Sequence, residues 1–230
     1  MIDLIYLAFN RLEFTKASMS ALIANTEWNL VRKFIIYDDG STDGTWEYLQ
    51  ALKYPYPANL IFRKIGGPVA ITKHYLAHGP AEMFAKIDND TMVPPCWLSE
   101  CLKVMNTSPK LDLLGIEAFY HLQSGQAARG YVPARHIGGI GLMRSRCFRT
   151  MPKEHGPGGR FGFTAWQTWN KGVVKGWISP SLPVFLLDRM AMNPWLSLSQ
   201  SYIKNGWQRD WKKYTEDQKE LWSWWRDGNN

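Results

Sequence analysis

The feature that most restricts the fold is an alternation running through the first part of the chain. Short apolar runs of strand character alternate with segments of helical periodicity. Ile2 to Phe9 reads as a buried strand, rich in Ile, Leu and aromatic residues. From Leu12 to Asn25 the pattern turns helical, with Phe14, Ala17, Ala21 and Leu22 at helix-like spacings. Val31 to Tyr37 reads as a second buried strand. A helix from Thr45 to Leu52 follows, opened by a capping-type residue. Leu60 to Arg63 forms a third strand, and Gly66-Gly67-Pro68 a loop. Val69 to His78 is a helix, and Glu82 to Ile87 a fourth strand. Strands alternating with helices predict an α/β fold, a mostly parallel central sheet flanked by helices.

In such sheets ligands bind beyond the carboxyl ends of the strands. Three polar clusters fall at predicted strand ends: Asn10-Arg11, Asp38-Asp39 and Asp88-Asn89-Asp90. Loops lie at the surface, so some polarity is expected after any buried strand. That explains less well why carboxylates gather on two of these ends in a basic chain. Residues i and i+2 of an extended segment point the same way, so Asp88 and Asp90 can face one ligand. Two carboxylates on one side of a turn suit a hard cation, Mg²⁺ or Mn²⁺. On the residues alone, an Asp-rich turn capping a strand is the alternative.

The 230 residues suffice for one large domain, or one domain with an appendage. A hydrophobic fraction of 45% with 20% charged residues excludes a disordered chain. The net charge of +7 favours anionic partners: a nucleotide, a nucleic acid or an acidic membrane surface. A solvated basic surface accounts for it equally well. Cys96, Cys101 and Cys147 form neither a CxxC pair nor an even set, which points to a reducing, cytoplasmic setting. The apolar N-terminal run is too short to span a bilayer, is interrupted by Asp3 and lacks a basic flank. The expectation is a soluble protein with at most peripheral membrane contact.

At these residues the chain resembles family 2 glycosyltransferases. Asp38-Asp39-Gly40-Ser41-Thr42-Asp43-Gly44-Thr45 after a buried strand is similar to their nucleotide-binding signature, and Asn10-Arg11 to the end of their first strand. Gly67-Pro68-Val69-Ala70-Ile71-Thr72-Lys73-His74 resembles their Gly-rich loop and following helix. Asp88-Asn89-Asp90 resembles their metal-binding Asp-x-Asp. The pieces come in the family's order over roughly the first hundred residues. The resemblance implies a GT-A, Rossmann-like fold holding a sugar nucleotide, with a UDP-sugar as the expected donor and Mn²⁺ or Mg²⁺ as the cofactor. It implies Asp39 on the base, Arg11 and Lys73 near the nucleotide, Asp88 near the ribose or metal, and Asp90 on the metal. The full nucleotide-contacting set is Phe9, Asn10, Arg11, Asp38, Asp39, Lys73, Asp88 and Asn89.

The second half departs from the family pattern. His136-Ile137-Gly138-Gly139-Ile140-Gly141-Leu142-Met143 resembles the Gly-rich acceptor-side strand; a bulged strand is the alternative. Where inverting members carry an acidic pair, this chain shows Thr164-Ala165. Inversion needs a base within reach of the acceptor hydroxyl. Glu154 is the candidate carried forward, with Glu117 and His155 behind it. Retention of configuration and loss of transferase activity are the other readings. Asp188, at the end of the apolar run Val184 to Leu187, can stand in for a His metal ligand of relatives; a turn with Arg189 is the alternative. The candidate catalytic set is therefore Asp90, Glu154 and Asp188, and the metal set Asp88, Asp90 and Asp188.

From about Trp195 the chain becomes rich in Trp interleaved with Lys and Arg. Trp207, Trp211 and Tyr214 share a helical face, and Thr215-Glu216-Asp217-Gln218 is a capping box. The expected division is a catalytic domain over 1–195, nucleotide half 1–95 and acceptor half 96–195, and a helical extension over 196–230. The extension either docks its rings on the catalytic domain or serves donor or acceptor binding. The expected activity is metal-dependent sugar transfer to an acceptor hydroxyl on a glycan, a small molecule or a modified nucleic acid, including a hydroxylated base in DNA. A non-catalytic nucleotide- or glycan-binding module of the same fold is the competing reading.

Overall fold

In the computed structural model, residues 1–116, 130–150, 167, 170–179, 182 and 184–187 are described. They build an eight-stranded mixed sheet flanked by helices. Its first half follows the sequence alternation: β1 (Ile2–Ala8), α1 (Leu12–Asn25), β2 (Val31–Asp38), α2 (Thr45–Ala51), β3 (Ala58–Phe62), α3 (Pro68–Ala77) and β4 (Met83–Asp88). Then come β5 (Thr91–Met92), α4 (Trp97–Thr107), β6 (Leu113–Gly115), β7 (Gly130–Pro133), β8 (Gly141–Arg144), β9 (Lys175–Ser179) and β10 (Phe185–Leu186). The sheet order is β3-β2-β1-β4-β8-β6-β9-β7, and β10 pairs with β5 in a separate two-stranded ribbon.

Strand β1 lies at the centre of the parallel half, between β2 and β4. All seven of its residues are buried, which is why it reads as an apolar run broken only by Asp3. Its side chains alternate between two cores. Leu4, Tyr6 and Ala8 join Met19 and Leu22 of α1 and Trp97 and Leu98 of α4. Ile5 and Leu7 join Ile71 and Tyr75 of α3. The exception, Asp3, is fully buried and fully answered. Arg32 donates twice to it, at 2.8 and 2.7 Å, and the Tyr75 hydroxyl and the Ala81 amide donate at 2.8 and 3.0 Å.

The same alternation runs through β4. Ala85 and Ile87 belong to the core under α1 and α4, while Phe84 packs on the other side with Tyr75. Lys86 and Asp88 continue the Phe84 side toward the carboxyl end of the strand.

Four of the seven pairings in the large sheet are parallel, as the alternation of strands and helices leads one to expect, and three are antiparallel. The departures lie in the second half, where β8 runs antiparallel to both β4 and β6. Two expectations need correcting. The Gly-rich strand expected from His136 begins only at Gly141. The segment before it is held differently: Gln167, fully buried, accepts from the Ile137 amide at 2.7 Å and donates to the Ile137 carbonyl at 3.1 Å. The apolar run after Val184 yields only the two paired residues of β10. Helix α4 had no sequence expectation, although its buried Trp97, Leu98, Cys101, Val104 and Met105 follow helical spacing. The extension over 196–230 lies outside the described residues.

Candidate active site

The carboxyl ends of β1, β2 and β4 converge because the three strands are parallel neighbours, with Ala8 paired to Asp38 and Leu7 to Asp88. The loops beyond them are knitted together by side chains. Asn10 and Arg11 both adopt left-handed backbone angles, which turns the chain sharply into α1. The Asn10 amide donates to Ser41 Oγ at 2.7 Å, and its side-chain oxygen accepts from the Thr42 amide at 2.8 Å. Asn89 Nδ2 donates to the Asn10 carbonyl at 2.8 Å and to Thr15 Oγ1 at 2.9 Å. Asp43 accepts from the Leu12 amide at 2.9 Å and from Thr45 Oγ1 at 2.6 Å.

Between these loops lies a cleft of about 250 Å³. Phe9, Arg11, Asp39, Asp88, Asn89 and Asp90 line it, with Gly67 and Pro68 from the start of α3. Five of the eight expected nucleotide-contacting residues thus share one cavity. Asn10 and Asp38 are not among the cleft-lining residues and bond the neighbouring loop backbone. Asp38 Oδ1 accepts the Gly40 and Ser41 amides at 3.0 and 2.7 Å, closing the turn after β2. Its Oδ2 is buried without a partner, and burial pushes its carboxyl above the usual carboxylate range. Lys73 lies on α3, half-buried, and is not among the cleft-lining residues.

Asp39 is held by the loop it faces. Its Oδ1 accepts the Ile65 and Gly66 amides at 2.5 and 2.9 Å, and its Oδ2 the Gly67 amide at 2.7 Å. A carboxylate offers about four acceptor positions, so room remains for one further donor.

Two of the three metal candidates, Asp88 and Asp90, each carry a cation of the protein. Arg11 donates to Asp90 Oδ2 at 3.1 Å, and Lys86 donates to Asp88 Oδ1 at 2.5 Å. No group of three or more His, Cys, Asp or Glu side chains able to hold a metal occurs among the described residues. Two carboxylates on one cleft nevertheless fit a hard cation whose remaining positions are filled by phosphate oxygens and water. Glu117, Glu154, His155, Thr164, Ala165 and Asp188 lie outside the described residues. The chain leading to Asp188 does reach the cleft, for the Leu187 amide donates to the Asp90 carbonyl at 2.6 Å.

The family model "Glycosyl transferase family 2" matches residues 3–149, well over half of the chain. This chain belongs to glycosyl transferase family 2. Solved structures agree on the fold. The chain is similar to S. aureus TarS 1-349 with 13% identity and a TM-score of 0.58, over 82% of this chain and 60% of that one. It is similar to the mannosyltransferase PcManGT from Pyrobaculum calidifontis, solved with GDP-Man and Mn²⁺, with 17% identity and a TM-score of 0.57, over 78% of this chain and 54% of that one. GalNAc-T7, solved with UDP, GalNAc and Mn²⁺, matches with 9% identity and a TM-score of 0.57, over 77% and 42%. The chain therefore spans less than two thirds of the length of each of these neighbours. No sequence among curated proteins matches at a significant level.

The family 2 sheet accounts for where the candidate residues sit. Lys86 and Gln167 had no role in the sequence reading. Lys86 could have been noticed, as one cation inside an apolar strand and two residues before Asp88. Gln167 had no such signal, because its importance lies in which backbone it meets.

Proposed function

We propose that this domain transfers a sugar from a nucleoside diphosphate sugar, expected to be a UDP-sugar, to an acceptor hydroxyl in a divalent-metal-dependent reaction. The observation carrying this reading is the convergence of Asp39, Arg11, Asp88 and Asp90 on one cleft at the ends of parallel strands. Phe9, 54% exposed at the cleft, offers a ring face to the base, and the remaining acceptor position of Asp39 takes one base N–H. Asp90, together with Asp88, would hold Mn²⁺ or Mg²⁺. Such a cation supplies charge neutralisation for the departing diphosphate. Arg11 stands beside Asp90 and can donate to phosphate oxygens, adding stabilisation where negative charge develops. Asp188 follows Leu187, whose amide meets Asp90, and is retained as a further ligand of the same cation. Glu154 is retained as the acceptor base.

The net charge of +7 favours a polyanionic acceptor, so a hydroxylated base in single-stranded DNA is the acceptor carried forward. The test is release of nucleoside diphosphate from UDP- and GDP-sugars with Mn²⁺, with and without an oligonucleotide bearing hydroxymethylated bases. Asp90→Asn should lower turnover by roughly 100-fold or more while leaving the circular dichroism spectrum unchanged. Stimulation by the modified oligonucleotide but not its unmodified twin supports the DNA acceptor, and equal rates with both eliminate it. Nucleotide binding without turnover under any acceptor would establish the binding-module reading instead.

A further inference from the structure

Lys86 is the least expected residue in the sheet. It sits mid-strand in β4, between Ile5 of β1 and Gly141 of β8, and is 3% exposed. Asp88 is the one partner its ammonium has among the described residues. An ammonium carries three donors, and a buried charge serving the fold alone would be expected to satisfy all of them. Among the described residues two of its donors have no partner, and they lie beside a small cavity.

That cavity, about 30 Å³, is lined by Pro68, Val69 and Thr72 of α3, by Lys86 and by Gly139. It adjoins the nucleotide cleft, since Pro68 lines both and Asp88 lies at the joint. Its size suits one water or one hydroxyl-bearing substituent, not a whole ring. Gly139 keeps it open: a Cβ there would stand 3.2 Å from Lys86 Nζ and 3.9 Å from Asp88 Oδ2.

We propose that Lys86 is a specificity-determining residue for the donor sugar, reading one of its hydroxyl groups in the cavity between Gly139 and the first turn of α3. The inference rests on the sugar-transfer reading above and adds which residue inspects the sugar. A hydroxyl both donates and accepts, whereas a lysine only donates and a carboxylate only accepts. Lys86 Nζ and Asp88 Oδ1, 2.5 Å apart, therefore offer the complementary halves of what a hydroxyl, or two neighbouring hydroxyls, requires. Sites that bury polar groups for a substrate hydroxyl reject analogues that misplace it, because those groups are then left unpaired.

The experiment compares wild type, Lys86→Met and Gly139→Ala. Binding of free UDP and free GDP with Mn²⁺ is measured by calorimetry. Nucleoside diphosphate release is measured for UDP-glucose, UDP-galactose, UDP-N-acetylglucosamine and GDP-mannose. Lys86→Met should leave the Kd of the free nucleotide within about threefold. It should lower kcat/KM for the preferred donor by about 100-fold and level its preference over the epimer. Gly139→Ala fills the cavity without removing the cation, so it should level the preference in the same way and guards against a folding defect in Lys86→Met. Retention of the wild-type preference in both variants would overturn the proposal while leaving the transferase reading standing. A parallel loss of free-nucleotide affinity would also overturn it, by assigning Lys86 to the diphosphate or the fold. If wild type binds no nucleotide at all, the donor-site reading fails, and this inference with it.

Discussion

Asp3 and Asp38 are both fully buried carboxylates on neighbouring strands, yet their surroundings drive them in opposite directions. Burial alone would raise both. At Asp3 that effect is outweighed by hydrogen bonds from Arg32, Tyr75 and the Ala81 amide, and the carboxyl is lowered. At Asp38 burial wins over the Ser41 and Gly40 bonds, and the carboxyl is raised. The signs follow by linkage. Asp3 contributes stability that is present above the unfolded-state pKa and lost as pH falls through its depressed folded value. Asp38 costs stability above the unfolded-state pKa, and that cost disappears in acid. Urea unfolding from neutral pH downward should therefore separate Asp3→Asn from Asp38→Asn. Asp3→Asn should be destabilised at pH 7 by about 3 kcal/mol, with the gap to wild type narrowing in acid. Asp38→Asn should have its best stability relative to wild type at neutral pH, with that difference also narrowing in acid. Parallel pH profiles for both variants and wild type would refute this account.

At the scale of elements, the first half was legible because each element is long enough to show its period and meets its sequence neighbours. Helix α1 spans Leu12–Asn25 as expected, and β1, β2, α2, α3 and β4 fall within a residue or two of their sequence bounds. Strands β6, β7 and β8 have only three or four residues, too few for a period to emerge. Their order in the sheet is also non-sequential, so their partners are distant in the chain. Within the site, Asp39 and the Asp88–Asp90 pair were legible as chemistry. Asp38 and Asp39 look alike in sequence, while in the structure one closes a turn and its neighbour lines the cleft. Gly141 shows what sequence could not reveal about β8. It adopts φ +145°, and a Cβ there would overlap the Leu114 carbonyl oxygen of the paired strand β6. That atom is backbone and cannot swing aside. Gly141→Ala should therefore cost on the order of 3 kcal/mol or more, through strain and broken β6–β8 pairing together. A urea midpoint unchanged from wild type would show that the pairing tolerates the side chain.

At the scale of the whole molecule, hydrogen bonds tie together the loops around the cleft, its floor includes Leu7, Ala8 and Ile71 of the two cores, and cations of the protein sit on its carboxylates. Arg11 on Asp90 and Lys86 on Asp88 keep the acidic pair compensated before any ligand arrives. A donor with its metal must displace or share the Arg11 contact on Asp90, while Asp88 Oδ2 can take the cation with Lys86 left on Oδ1, so binding should depend strongly on having both together. Ligands that bind only the folded state raise its stability in proportion to RT ln(1 + [L]/Kd). At about 100 times Kd this is about 2.7 kcal/mol, which for a chain of this size corresponds to a rise in Tm of roughly 5–10 °C. Wild type should show a rise of that order with one nucleotide class and Mn²⁺ together, and a clearly smaller one with either alone. In Asp90→Asn the part that depends on Mn²⁺ should vanish, while a nucleotide-only shift persists through Asp39 and Phe9. A full shift in the variant would move the metal away from Asp90. A shift with Mn²⁺ alone equal to that of the pair would mean that the carboxylates bind the cation without help from phosphate, contrary to a two-carboxylate site completed by its substrate.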